Sequence, residues 1–214
     1  MKVISFSDAF QRLMKDFIII GHKAVTETFS LNDLPGVAGR MDILCRCVNA
    51  ALFLSHDLRR DVRVFLVHKG GSYPPKLVRF EGNAVRYLSP DERSAASLIK
   101  KALEKNIQDF WTESTPGVSV RKGDMEGLLK EMDKKIIYLR EDGEDIRKKK
   151  IDEDFDPLFV LGDHLGLTVE EERIVLGYDP EIMSIGPLSL HADHCIVLLH
   201  NEMDRNIFRT PRIM

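Results

Sequence analysis

The sequence predicts an α/β protein whose mainly parallel sheet is flanked by helices, and three observations carry that prediction. Short apolar runs rich in β-branched residues recur along the chain, helical patterns stand between several of them, and no internal repeat or low-complexity segment breaks the alternation. Parallel neighbours need a long return connection, usually a helix, so strand and helix in alternation point to that sheet type.

The strand candidates are Phe17–Ile20, Val62–Val67, Lys76–Phe80, Lys135–Leu139, Pro157–Leu161 and Ile182–Ile185. All are of strand length, and none is long enough for a free-standing helix. The first helix is read in "GRMDILCRCVNAALFLS" (Gly39–Ser55), where Ile43, Cys47, Ala50/Ala51 and Leu54 fall on one face. In "SPDERSAASLIKKALEK" (Ser89–Lys105), Ser89 stands three before Glu92 and Pro90 takes the first helical position, which is a capping signature. The apolar stripe that follows is Ala95, Leu98, Ile99 and Ala102. "GDMEGLLKEM" (Gly123–Met132) is a third helix and "LSLHADHCIVLLHNEMDR" (Leu188–Arg205) a fourth. The charged, turn-rich stretch Arg140–Pro157 reads as a long linker, functional or mobile.

A chain of 214 residues is expected to form one domain, 1–214, with residues 1–15 as an N-terminal extension. No apolar run approaches the roughly 20 residues that a membrane-spanning helix needs, so no membrane association is expected. The opening "MKVISFSDAFQRLMKDF" lacks the apolar segment of a secretory signal. Three cysteines give no disulfide framework and suit a reducing compartment, so the expected location is the cytoplasm. The net charge of −3 hides an asymmetry: residues 1–112 carry 17 Lys+Arg against 12 Asp+Glu, and residues 113–214 carry 14 against 22. A polyanionic partner would meet the first half, unless the imbalance is only surface solvation.

His191, His194 and Cys195, spaced i, i+3, i+4, share a helical face and offer imidazole and thiolate to a zinc ion. Asp193, Asp163 and His164 complete the set that a metal-dependent hydrolase would use. Against this, Cys195 abuts the apolar run Ile196–Leu199, and no CxxC or HExxH spacing supplies further ligands. The plainer reading is a partly buried helix with hydrogen-bonded histidines, and no metal is expected. Two glycine-bounded strand ends are more informative. "FVLGDHLGL" (Phe159–Leu167) stops on Gly162, and "MSIGPLSLHADHC" (Met183–Cys195) ends in Gly186–Pro187, with Ser189 placed to cap the next helix. The Lys135–Leu139 strand ends in the same way. In open α/β sheets ligands bind at the carboxyl ends of strands, so these backbones suit the edge of a flat heterocycle, with Leu139, Leu188 and Leu190 over its faces. No GxGxxG or GxxxxGK[ST] motif is present, which leaves a Rossmann or P-loop site without support and the nucleotide-like ligand an open alternative.

Five segments together resemble one family: "SLNDLPGVAGRMDILCRCVNAALFLSHDLRRDV", "RYLSPDERS", "ESTPGV", "LGDHLGLT" and "IGPLSLHADHCIVLLHNEMDR". The chain is similar, from about Asp16 to Arg205, to the archaeal tRNA pseudouridine-54 N1-methyltransferases of the SPOUT class. The resemblance implies an enzyme dependent on S-adenosyl-L-methionine (SAM), acting on tRNA as a homodimer. It also implies a C-terminal trefoil knot within about residues 135–205, a rare exception to ordinary topology. Carried onto matching positions, the SAM pocket falls on Leu139, Gly162, Ile185, Gly186, Pro187, Leu188, Ser189, Leu190 and Cys195.

Methylation at N1 of pseudouridine requires a ring N–H to lose its proton while the nitrogen attacks a methyl group, and negative charge on the ring must be stabilised. "SHDLRRDVRV" concentrates Asp57, Arg59, Arg60, Asp61 and Arg63 between a helix and a strand. Asp57 and Arg60 are the expected catalytic pair, and Arg40 and Arg59 the expected phosphate contacts; a surface ion pair is the alternative for each. Other readings are the same chemistry on a pseudouridine of another RNA, the metal-dependent hydrolase, and a non-catalytic RNA-binding module.

Overall fold

The computed structural model describes residues 14–73, 75–149 and 156–209. Eight strands form one sheet in the order β4-β5-β3-β2-β1-β7-β6-β8. They are β1 Lys15–Val25, β2 Val62–Gly70, β3 Lys76–Glu81, β4 Thr112–Thr115, β5 Val118–Lys122, β6 Lys135–Asp145, β7 Pro157–Gly162 and β8 Glu181–Ser184. The five described α-helices are α1 Met41–Leu52, α2 Glu92–Leu103, α3 Met125–Glu131, α4 Val169–Leu176 and α5 Ala192–Arg209.

Five of the eight strands form a parallel block, as the sequence predicts, and an antiparallel extension makes the whole sheet mixed. β2, β1, β7, β6 and β8 run parallel, while β3, β5 and β4 extend the sheet antiparallel. β4 and β5 were not expected, because runs of four and five residues carry almost no periodic signal.

Alternation in β1 divides two cores. Phe17 and Ile19 point to one face, with α1, α2 and α5; Ile18 and Ile20 point to the other, with α3 and α4. All four side chains are fully buried, each worth roughly 1.5–3 kcal/mol of apolar burial. β1 and β7 are therefore central strands covered on both faces, which is why their sequences are continuous apolar runs.

Three local expectations change. Asp91, not Ser89, caps α2, accepting the Ser94 amide at 2.8 Å. β6 continues through the expected linker to Asp145 after an irregularity between Leu139 and Glu144, and a 3-10 turn follows at Ile146–Lys148. The rest of that linker, and residues 1–13 of the expected N-terminal extension, lie outside the described residues. α4 was not expected, although Thr168 and Glu171 form a complete capping box at its start.

Candidate active site

The carboxyl ends of β7, β6 and β8 open together on one face-end of the sheet, where the loop before α5 folds across them. They enclose a cavity of about 570 Å³, within the range of small-molecule sites.

Each wall follows from local sequence. At the end of β7, the Asp163 amide continues the pairing with β1 by donating to the Ile20 carbonyl (2.9 Å), and the Gly166 amide then donates back to the Asp163 carbonyl (3.0 Å). This turn requires glycine at both ends. A Cβ on Gly162 would sit 2.1 Å from the Gly166 carbonyl oxygen, and Gly166 has φ +70°. At the end of β8, Ser184 Oγ donates to the Gly186 carbonyl (2.9 Å) and accepts its amide (3.2 Å), folding the chain back on itself. Gly186 has φ +156° and open space where a side chain would project.

Eight of the nine expected cofactor positions, Leu139, Gly162, Ile185, Gly186, Leu188, Ser189, Leu190 and Cys195, line this cavity. Pro187 does not. Tyr138, Arg140 and Glu141, which sequence reasoning passed over, join them, as do Ile43 and Asp163, which it had read as a helix-face residue and a metal-ligand candidate. Ser189 is not the helix cap, because α5 begins three residues later, at Ala192.

Burial pushes the Cys195 thiol up to about 11, so at neutral pH it is a neutral wall group. Burial, with Glu172 beside it, likewise raises the Tyr138 phenol to about 12; its hydroxyl donates to Glu172 at 3.3 Å. Arg140 is held by Asp142 and Glu172. Among the described residues, no group of three or more His, Cys, Asp or Glu side chains converges as metal ligands. His191 and His194 instead meet edge to face, ring centroids 5.7 Å apart, so the hydrolase reading lacks a ligand set there.

The substrate-side residues are placed differently. Asp57 and Arg60 do pair (2.8 Å), both exposed, and the Leu58 amide and Arg60 hold the Asp57 carboxyl below its ordinary range. They precede β2, however, at the amino edge of the parallel strands. Val62 is level with Lys15 and Gly162 with Ile20, five residues up β1, or about 17 Å of strand at ~3.3 Å per residue. Within one chain the pair does not reach the cavity. Arg59 is turned inward onto Asp204 in a two-point bond (3.0 and 2.6 Å), so its guanidinium is engaged and not offered to a phosphate. Arg40 stands at the entrance to α1 with φ 63°, bonded to Asp42, and its pKa is raised by that bond and by the fields of Asp42 and Asp163. It is the substrate-side candidate on the cavity's side of the sheet.

An open α/β sheet carrying a ligand-sized cavity at its carboxyl edge is the frame of a nucleotide-handling enzyme. A protein-family model described as "Putative SAM-dependent RNA methyltransferase" matches residues 14–208. A tRNA (pseudouridine(54)-N(1))-methyltransferase of Methanococcoides burtonii is 56% identical over 198 residues, covering 91% of this chain and 98% of the relative. One from Methanosarcina acetivorans is 58% identical over 195 residues, covering 90% and 92%. The chain belongs to this family of tRNA (pseudouridine(54)-N(1))-methyltransferases. Its fold is similar to that of Archaeoglobus fulgidus Nep1 bound to S-adenosylhomocysteine, with a TM-score of 0.62, 13% identity and coverage of 92% of this chain and 99% of that one.

Proposed function

We propose that the protein transfers a methyl group from SAM to N1 of pseudouridine 54 in tRNA. The observation that carries this reading is the cavity: eight residues expected from the sequence to hold SAM line one space at the carboxyl edge of the sheet. The residues present fit the cofactor. Leu139, Leu161, Ile185, Leu188 and Leu190 supply apolar walls. Gly166 and Gly186 leave open space that a Cβ would occupy, so backbone is accessible to a flat heterocycle.

When bound, SAM supplies an electrophilic methyl group on a sulfonium. The chain's own contribution is binding, orientation and charge. The apolar walls exclude water from the reacting atoms. Cys195, a neutral thiol, lines the site without a covalent step. Asp57 and Arg60 act on the base: the guanidinium stabilises negative charge on the ring, and the carboxylate orients N1–H. Because its pKa is held low, Asp57 suits orientation, with a bound water as the route for the proton. The target base leaves its stack to reach the cavity, and Arg40 with the basic first half carries the tRNA backbone.

The reading includes a homodimer. Leu188 (73% exposed), Val197 (53%) and Leu198 are exposed apolar side chains on α5 and the loop before it, the kind of surface a second copy would cover. That copy would bring Asp57 and Arg60 to the cavity that they do not meet in their own protomer. It also includes one domain over 1–214, a trefoil knot within about 135–205 and a cytoplasmic location; no helix among the described residues is long and apolar enough to cross a membrane. The test is methyl transfer from SAM to two tRNA transcripts, with pseudouridine or uridine at position 54, read by nucleoside mass spectrometry. N1-methylpseudouridine in the first alone is expected; SAM binding without product in either would redirect the reading to another RNA.

A further inference from the structure

His22, near the end of β1, lies outside every motif the sequence offers, yet its ring faces a carboxylate from each nitrogen. Nδ1 is 3.1 Å from Asp163 Oδ1, and Nε2 is 2.8 Å from Glu171 Oε2. The two partners bracket one segment. Asp163 begins the turn that follows β7, and Glu171 closes the capping box that starts α4. Between them, His164, Gly166 and Leu167 form a wall of the cavity.

Both carboxylates are already committed as acceptors. Asp163 Oδ2 takes the His22 amide (2.9 Å), and Oδ1 takes the Leu165 amide (2.9 Å). Glu171 takes Lys69 Nζ on one oxygen (2.5 Å) and the Thr168 amide and hydroxyl on the other (2.8 and 2.9 Å). Burial pushes the Glu171 carboxyl up, but the bonds from Lys69, His22 and Thr168 outweigh it and leave the group at about 2, ionised at neutral pH.

We propose that His22 is a positioning residue for the cofactor: its ring, held between Asp163 and Glu171, straps both ends of the 163–171 segment and so fixes the wall of the SAM cavity. The strap rests on the reading of this cavity as the SAM site. The other charged groups facing the cluster are Lys69 from β2 behind Glu171, His164 with Nδ1 3.5 Å from Asp163 Oδ1, and Arg40, whose field reaches Asp163.

The experiment uses the full-length protein. Calorimetry with S-adenosylhomocysteine then compares wild type with His22→Gln, which carries no charge and reaches one carboxylate. A loss of about tenfold or more is expected, the scale of one charge-assisted hydrogen bond. In turnover the change appears in KM for SAM and not in KM for tRNA. Unchanged affinity in His22→Gln, with wild type binding normally, overturns the strap alone; a wild type that binds no S-adenosylhomocysteine overturns the functional reading and the strap with it. Should His22→Gln fail to fold, Glu171→Gln decides. It keeps the shape of the contact and removes its charge, so affinity for S-adenosylhomocysteine falls while KM for tRNA holds. Affinity equal to that of wild type overturns the proposal.

Discussion

Gly162→Ala is the smallest change that tests how the cavity is built. The added Cβ would lie 2.1 Å from the Gly166 carbonyl oxygen and 2.2 Å from its carbon, both backbone atoms, whereas ordinary contact begins near 3.4 Å. The turn must therefore open by more than an ångström. Opening sacrifices the Gly166 amide bond to the Asp163 carbonyl, about 1 kcal/mol, and forcing an atom into packed backbone adds roughly 1–3 kcal/mol. The sum is about 2–4 kcal/mol, which at 1.4 kcal/mol per decade weakens cofactor binding roughly 30-fold or more. Wild type is the reference. Titration of both proteins with S-adenosylhomocysteine, alongside thermal melts, gives the comparison. Gly162→Ala binding as tightly as wild type would refute the claim that this glycine shapes the site.

Asp57→Ala is expected to bind S-adenosylhomocysteine like wild type while losing methyl transfer, because Asp57 sits at the sheet edge away from the cavity; a fully active variant removes it from the mechanism. Cys195→Ser should reduce activity only mildly, and Cys195 should alkylate slowly at pH 7 and faster toward pH 11, where its thiol ionises; a folded but inactive serine variant would contradict its role as a wall. His68 and His200 are buried and neutral, held by burial at about 4 and about 3 against an ordinary 6.5. The unfolded chain binds protons there first, so stability falls as pH drops from about 6.5 toward 4. Melting curves should show this loss, reduced in His200→Gln, whose amide can keep the bond to the Ala51 carbonyl; an equal acid sensitivity in that variant would exclude His200 as a source.

The central strands were readable because β1 and β7 are buried on both faces and so are apolar throughout. The cavity was readable because glycine marks the places where the chain must turn tightly at strand ends. Other features were hidden for stated reasons. β4 and β5 are too short to show a period, and Thr168 with Glu171 is a capping box that the eye passes over in a charged segment. His22 finds its partners 141 and 149 residues away, so nothing local flags it. Asp57 and Arg60 form an ion pair that their nearness in sequence allows, but their edge of the sheet follows from topology. The loop that leads into a parallel strand lies at the amino edge, away from the ligand-binding ends.

The position of β7 also bears on how the chain is made. β1 pairs with β2 early, but its other edge is completed only when Asp16 meets Leu158 and Ile20 meets Gly162. During synthesis, Phe17–Ile20 leaves the ribosome long before that partner, as an apolar strand with one row of amides and carbonyls unmatched. Contacts so distant in sequence form slowly, and the waiting edge invites pairing with another nascent chain. Expression at low temperature and low synthesis rate, and chains that extend past residue 162, are therefore the conditions that favour soluble protein.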